Sequence, residues 1–178
     1  MKNILSLFPL SLLLSCTITV QAQRGKMAKR SSREQHTGLS LIHLTNRGPG
    51  GFGAAFHLTG VYHFSPHSGI TLGVEPMFID RGRYDLNGFS VRLGYRYTDW
   101  PSGVFIHPNI GLFYGSLSHG YGNYTRFLRA LEAGVRLPTK RYPVELSVGI
   151  NDAHNLDDDL YYHWVWGSFK LSVVFPIR

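Results

Sequence analysis

The chain has 178 residues, which is enough for one domain and short for two. It contains one cysteine, Cys16, so the disulfide framework that stabilises many small secreted domains is excluded. The formal net charge is +7, and no stretch beyond the first 22 residues is apolar for the length that a transmembrane helix needs, which excludes a helical membrane protein.

The N-terminal segment has the parts of a secretory signal peptide. Lys2 supplies a positive start, an apolar run follows from Ile4 to Leu14, and Val20-Gln21-Ala22 is the small-x-small pattern behind which signal peptidase cleaves. We therefore predict a signal peptide over residues 1–22. An alternative is a lipoprotein signal at Leu13-Leu14-Ser15-Cys16, which would make Cys16 the lipidated first residue.

A polar segment with no hydrophobic periodicity follows, over residues 23–37. Much of the positive charge lies there, on Arg24, Lys26, Lys29, Arg30 and Arg33. This composition predicts a flexible basic arm on the periplasmic side. The high net charge thus says little about the rest of the chain, and for an exported protein we expect no nucleic-acid partner.

From Gly38 onward the hydrophobic pattern has a period of two, which predicts β-strands. The contrast is sharpest in Phe89–Tyr97, where aromatic and aliphatic residues alternate with Ser90, Arg92, Gly94 and Arg96. Eight candidate strands follow one another in the chain: Gly38–Leu44, Phe52–Phe64, Gly69–Phe78, Phe89–Tyr97, Val104–Tyr114, Thr125–Leu137, Val144–Ile150 and Val165–Phe175.

The connections between these strands alternate in length. Tight turns follow the second, fourth and sixth strands, at Ser65–Ser68, Asp99–Ser102 and Pro138–Pro143. Longer connections follow the others, at Thr45–Gly51, Arg81–Gly88, Ser116–Tyr124 and Asp152–Tyr162. Tight turns on one side and longer loops on the other are typical of outer-membrane barrels.

Side-chain volume decides which stripe of each strand points inward. The apolar stripe carries many Phe, Tyr and Leu residues, whereas the polar stripe is interspersed with glycine. An eight-stranded barrel has an interior that is only just wide enough to be filled by side chains. We therefore predict an all-β, eight-stranded antiparallel up-and-down transmembrane barrel over residues 38–178, with its apolar stripe against lipid.

Three residues depart from this pattern. Pro76 and Pro108 lie within strands, where each removes a ladder donor and predicts a bulge or a strand end. Arg129 falls on the apolar stripe, roughly 20 Å along the barrel axis from Leu137 for a strand tilted at about 40°. That height corresponds to the outer interface, where an exposed cation is tolerated.

These residues resemble the small outer-membrane barrel families, among them the OmpA transmembrane domain and OmpX. The resemblance covers about Gly38 to Arg178 and includes an aromatic-bearing last strand, Trp164 to Phe175, of the kind that the barrel-assembly machinery reads. Here Phe175 is followed by three more residues. The Gln21-Ala22-Gln23 processing site is similar to leaders of Bacteroidetes exports, which suggests a Bacteroidetes-type barrel family.

Charged residues of both signs share the predicted interior. In a narrow lumen they must pair, because burial of an unpaired charge is costly. We predict a structural polar network that fills the barrel, as the resemblance also implies; the alternative is a gated ion or proton path. Its members are Glu75, Arg92, Arg96, Glu132, Arg136, Glu145 and Lys170.

The histidines predict no metal site. His57, His63 and His107 should face inward, but six residues separate the first two, which is about 20 Å of strand. At the outer rim, His119, His154 and His163 could approach Asp152 and Asp157–Asp159, whose carboxylates suit divalent cations bridging lipopolysaccharide phosphates. The alternative is that these acidic residues form a solvated loop.

An enzyme is the main competing class. Lipid A deacylases of similar size carry a His-x-Ser pair late in the barrel, and Gly149–Asn155 has none. Ser118-His119 lies on another connection, and nothing places a nucleophile beside a base. We therefore predict no catalytic residue and no cofactor.

The sequence thus predicts a non-catalytic barrel of the cell outer membrane with a structural or interaction role. Expected partners are outer-membrane lipid, lipopolysaccharide, the barrel-assembly machinery and a periplasmic or envelope protein, as in a secretion or conjugation complex. The external loops and the basic arm would be the contact surfaces. A narrow channel and a lipid A-modifying enzyme are the alternatives.

Overall fold

The computed structural model describes residues 33–44, 51–80, 85–100, 102–118, 123–155 and 164–177. Within these ranges the chain forms one closed antiparallel barrel, in which each strand pairs with its sequence neighbours and the last strand pairs with the first. The strands are β1 (Arg33–Leu44), β2 (Gly51–His63), β3 (Ser68–Asp80), β4 (Asp85–Thr98), β5 (Val104–Leu117), β6 (Asn123–Leu137), β7 (Val144–Asn155) and β8 (Trp164–Ile177). The predicted eight-stranded barrel is confirmed. In the described ranges, no helix has the length and apolar character to cross a membrane.

The first strand begins earlier than the sequence pattern indicated. β1 starts at Arg33, so residues 33–37 belong to the barrel and not to the arm, and the predicted boundary at Gly38 was wrong. Residues 33–37 show no alternation because their outward positions hold Gln35 and Thr37, which are polar. The predicted signal peptide, the alternative at Cys16 and residues 23–32 lie outside the described residues.

The connections differ less in length than predicted. Both ends of the described chain, and the connections at residues 64–67, 99–103 and 138–143, lie at one end of the barrel, here called the terminal end. The connections at the opposite, distal end span residues 45–50, 81–84, 118–122 and 156–163. Only the last is clearly longer, because most strands continue beyond their predicted limits at this end of the barrel.

The two prolines interrupt hydrogen bonding without shifting the strands. β2 and β3 keep one register on either side of Pro76, but the ladder skips two residue pairs there. The β4–β5 ladder skips two pairs beside Pro108 in the same way. The predicted bulges and strand ends were therefore wrong, because losing one donor from one ladder leaves the other ladder of each proline intact, as at Pro76–Phe89 and Pro108–Leu131.

The apolar stripe faces outward, as side-chain volume predicted. Large apolar side chains on the outer surface are exposed, with Leu41 at 66%, Leu72 at 63% and Ile150 at 66%. The charged residues between them point into the lumen, where Glu75 and Glu145 are each 2% exposed. On the outer surface, Arg129 and Asp152 of β7 form an ion pair at 2.8 Å.

Aromatic rings form a girdle near each end of the outer surface. The terminal girdle comprises Tyr62, Phe64, Tyr95, Tyr97, Tyr142 and Phe175. The distal girdle comprises Phe52, Phe78, Phe89, Tyr114 and Phe127. Tyr62 and Phe52 lie ten residues apart on β2, which corresponds to roughly 25 Å along the axis of a tilted barrel. The girdles therefore bound an apolar band of about the height that spans a bilayer core.

Candidate functional site: a filled lumen in three layers

The lumen contains three layers of side chains, two ionic and one apolar. The layer nearest the termini, here called the terminal ionic layer, draws one or two residues from each of five strands. Its members are Glu34, His36, His63, Arg96, Arg136 and Glu145, and all of them are buried. Opposite charges face one another in this layer, so that burial does not leave a carboxylate or a guanidinium unpaired.

Glu34 binds Arg136 through a two-pronged contact across the lumen. Nη1 and Nη2 of Arg136 donate to Oε1 and Oε2 of Glu34 at 3.0 Å and 2.7 Å. Nε2 of His63 also lies 3.1 Å from Oε2 of Glu34. Bidentate pairs between a guanidinium and a carboxylate are the strong, geometrically specific kind. This pair links the start of β1 to β6.

Glu145 is the second acceptor of the terminal ionic layer. Its Oε1 accepts hydrogen bonds from Arg96 Nη2 and Arg136 Nε, each at 2.7 Å. Its Oε2 lies 3.0 Å from Nδ1 of His36. The Arg96 guanidinium also stacks over the ring of Phe105, 3.7 Å from its centroid. One carboxylate thus joins β1, β4, β6 and β7.

The middle ionic layer lies next along the axis. Lys170 Nζ contacts two carboxylates, Oε2 of Glu75 at 3.1 Å and Oε2 of Glu132 at 3.2 Å. Arg92 Nη2 lies 3.1 Å from the same Oε2 of Glu75, while its Nη1 donates to Asn151 Oδ1 at 2.8 Å. The chain of contacts therefore crosses the barrel from β4 through β3 and β8 to β6.

The distal third of the lumen is filled by apolar side chains and is here called the distal plug. Its members are Ile42, Ala55, Met77, Ile79, Leu86, Phe113, Leu128, Ala153, Trp164 and Trp166. The Phe113 ring lies 5.9 Å from both tryptophan rings, measured between centroids. Phe113 and Leu128 are fully buried. Arg126 lies over this layer, with its guanidinium carbon 3.8 Å from the Trp164 ring centroid.

The structure places all seven residues of the predicted polar network inside the barrel. Arg96, Arg136 and Glu145 lie in the terminal ionic layer; Glu75, Arg92, Glu132 and Lys170 lie in the middle one. Sequence reasoning missed Glu34 and His36, because it assigned residues 33–37 to the arm. It also missed the distal plug, which the loss of alternation in segments such as Trp164-Val165-Trp166 could have revealed.

The histidines divide between layers, as their spacing required. His63 contacts Glu34 in the terminal layer, whereas His57 bonds Ser172 Oγ at 2.8 Å in the middle layer. Across the described residues, no group of three His, Cys, Asp or Glu side chains is arranged to hold a metal ion. Of the predicted rim residues, His119, His163 and Asp157–Asp159 lie outside the described residues.

Hydroxyl–imidazole contacts are present in the middle layer, but they are enclosed. Thr71 Oγ1 lies 2.8 Å from Nε2 of His107, whose Nδ1 lies 3.8 Å from Glu132 Oε2. The adjoining cavity measures about 30 Å³, which holds one or two water molecules and no lipid or sugar group. Ser118 of the candidate Ser-His pair accepts a hydrogen bond from the Asp85 backbone at 2.9 Å.

No family model matches the sequence, and no curated protein matches it. Among solved structures, Neisserial surface protein A matches 84% of this chain over 100% of its own length, with a TM-score of 0.68 and 11% identity. Ail, the attachment invasion locus protein of Yersinia pestis, matches 83% over 100% of its length, with a TM-score of 0.56 and 14% identity. Likeness at these identities shows the fold alone. The Bacteroidetes-type family expected from the leader is not matched.

Proposed function

We propose that this protein is an exported, non-catalytic barrel of the outer membrane that acts as a structural or interaction element. The observation that carries the proposal is that one barrel has both an apolar outer band and a lumen filled with ion pairs. The first feature suits a wall in contact with acyl chains, and the second suits a rigid scaffold. The signal peptide and the barrel-assembly machinery would supply the export and insertion steps.

The outer surface supports the membrane placement. In water, a continuous apolar band around the whole barrel would expose far more than the few hundred Å² that a soluble monomer usually exposes in one patch. In lipid the same band costs nothing, and the aromatic girdles lie where the headgroups begin. The terminal end would face the periplasm, since carrying the charged N-terminal arm through hydrocarbon is costly.

The three layers argue against a conducting pore. An ion entering from the distal end would pass the Arg126 guanidinium and then meet Phe113, Leu128 and the two tryptophans before it reached the ionic layers. Beyond them, Lys170 and Arg136 each bridge two carboxylates across the lumen. A single ion crossing would have to displace the plug and break both layers.

The contact surfaces would then lie outside the barrel wall. The distal connections and the basic arm remain the candidates, and the arm could join a periplasmic subunit of a secretion or conjugation complex. An interaction role for a barrel of this size is supported by the similar protein Ail, whose structure is known in complex with the heparin analogue sucrose octasulfate.

Conductance in a planar bilayer tests the scaffold function directly. The mature protein should insert and give no current steps, because the plug and the ionic layers block the axis. Regular single-channel steps would favour the pore instead. Lipid A mass spectra from cells with and without the gene should be identical; a lost or gained acyl chain would identify an enzyme.

A truncation tests the arm as a contact surface. It must remove residues 23–32 only, because Arg33 begins β1 and Glu34 anchors the terminal ionic layer. Crosslinking in intact envelopes should lose one defined envelope partner in the truncated protein. The matched control replaces Arg24, Lys26, Lys29 and Arg30 with glutamine at full length. An unchanged set of crosslinked proteins in both variants would remove the arm from the proposal.

A further inference from the structure

Exposed charge is distributed unevenly between the two ends of the barrel. At the terminal end, Arg33, Lys140 and Arg141 are exposed, and Asp99 is the one exposed acidic residue that the described chain places there. At the distal end the exposed charged residues are Asp80, Asp85 and Arg129. The terminal rim is therefore basic in the described ranges, and the basic residues are concentrated on β1 and the β6–β7 connection.

The β6–β7 connection is a turn that presents two cations beside the terminal girdle. The Thr139 hydroxyl donates to the carbonyl of Tyr142 and closes the turn. The Tyr142 ring packs against Phe175 at 5.0 Å, and the Arg141 guanidinium carbon lies 5.4 Å from the Tyr142 ring centroid. Lys140 and Arg141 are thus held just beyond the aromatic girdle and not on a freely moving tail.

This position corresponds to the phosphate level of a bilayer. Aromatic girdles lie at the headgroup boundary, so cations directly beyond them meet lipid phosphates. Basic residues next to a membrane segment attract anionic lipids. In the described ranges, Arg33, Lys140 and Arg141 are exposed at this end of the barrel.

We propose that Lys140 and Arg141, together with Arg33, form a binding surface for the phosphodiester headgroups of anionic phospholipids in the leaflet at the terminal end. This inference rests on the membrane placement proposed above. The surface takes phospholipid and not a soluble anion, because the girdle residues Tyr142 and Phe175 seat the turn against acyl chains.

The test measures which lipids the full mature protein retains. The protein is refolded into nanodiscs with equal amounts of phosphatidylglycerol and phosphatidylcholine, folding is verified by its heat-modifiable gel shift, and native mass spectrometry counts the bound lipids. The wild type should retain phosphatidylglycerol in excess. K140Q/R141Q should lose that excess by about fivefold for each cation, and high salt should weaken it because exposed charges are screened.

Two control variants separate the effect of the positive charge from the effects of side-chain shape and of position on the barrel. K140R/R141K keeps both charges and should keep the excess of phosphatidylglycerol. Neutralising the distal ion pair, in R129Q/D152N, should leave it unchanged. The inference is overturned by an excess that survives K140Q/R141Q, by equal loss in K140R/R141K, or by competition from dissolved inorganic phosphate. A protein that folds into no bilayer of either lipid would overturn the membrane placement itself, and the headgroup surface with it.

Discussion

Replacing Glu145 by glutamine should destabilise the barrel strongly, although the side chain keeps its size. Glu145 receives hydrogen bonds from Arg96 and Arg136 at 2.7 Å and contacts His36 at 3.0 Å, and it is 2% exposed. Arg136 keeps its bidentate contact with Glu34 in the variant. Arg96 loses the carboxylate that its guanidinium contacts and keeps Thr98 and the face of Phe105.

The expected loss follows from leaving one guanidinium without its carboxylate. Breaking a buried ion pair by removing one partner typically costs about 3–5 kcal/mol of unfolding free energy. Urea unfolding of E145Q in lipid vesicles, followed by tryptophan fluorescence and gel shift, measures this loss as a lower midpoint. The exposed Asp99 supplies the control, since D99N should change the free energy by about 0.5 kcal/mol or less.

A double variant tests whether the cost belongs to the unpaired charge. R96M/E145Q removes the orphaned guanidinium as well, so it should be less destabilised than the two single variants add up to, by about 1–3 kcal/mol. A loss below about 1 kcal/mol in E145Q, or strict additivity in the double variant, would refute the claim that the terminal ionic layer is a dry, paired network.

Three further predictions concern the distal plug, the depth of the outer surface in the bilayer and the strand register. F113A should lower the unfolding free energy by about 3–5 kcal/mol in the same urea assay, because it empties the centre of the distal plug; a loss under 1 kcal/mol would mean that the plug is loosely packed. L72R, at mid-height on the outer surface, should cost about 2–4 kcal/mol in bilayers and F78R, in the distal girdle, about 0–1; equal costs would contradict the membrane depth assigned to them. G38A should prevent the barrel from closing, and the folded band should be missing from the gel, because the new Cβ would lie 1.8 Å from the Leu171 carbonyl oxygen. G60A should fold normally, since its nearest contact is at 3.8 Å. Equal folding of the two variants would contradict the β1–β8 register.

The barrel and its orientation could be read from alternation because both are properties of the whole strand. From Phe89 to Tyr97 in β4, each inward position holds a small or charged residue and each outward position an apolar one, so parity alone identifies the faces. The same reasoning failed where both parities carry the same kind of residue. Residues 33–37 are polar throughout, so the start of β1 was assigned to the arm.

The distal plug escaped prediction for the opposite reason. Around Met77 and Phe113 both faces of the strand are apolar, because the inward face fills the lumen while the outward face meets the distal girdle. Parity is then uninformative, and an argument from average volume hides the change along the axis. Which charge pairs with which, such as Lys170 with both Glu75 and Glu132, depends on the register around the barrel, which alternation does not determine.

The behaviour of the purified mature protein in water tests the central claim most directly. If the apolar stripe is the outer wall, the folded barrel should stay dispersed only with detergent or lipid and should precipitate when the amphiphile is removed. A folded monomer that remains in solution without any amphiphile would contradict the claim, because such a protein could not present the side chains of Leu41, Leu72 and Ile150 to its surroundings.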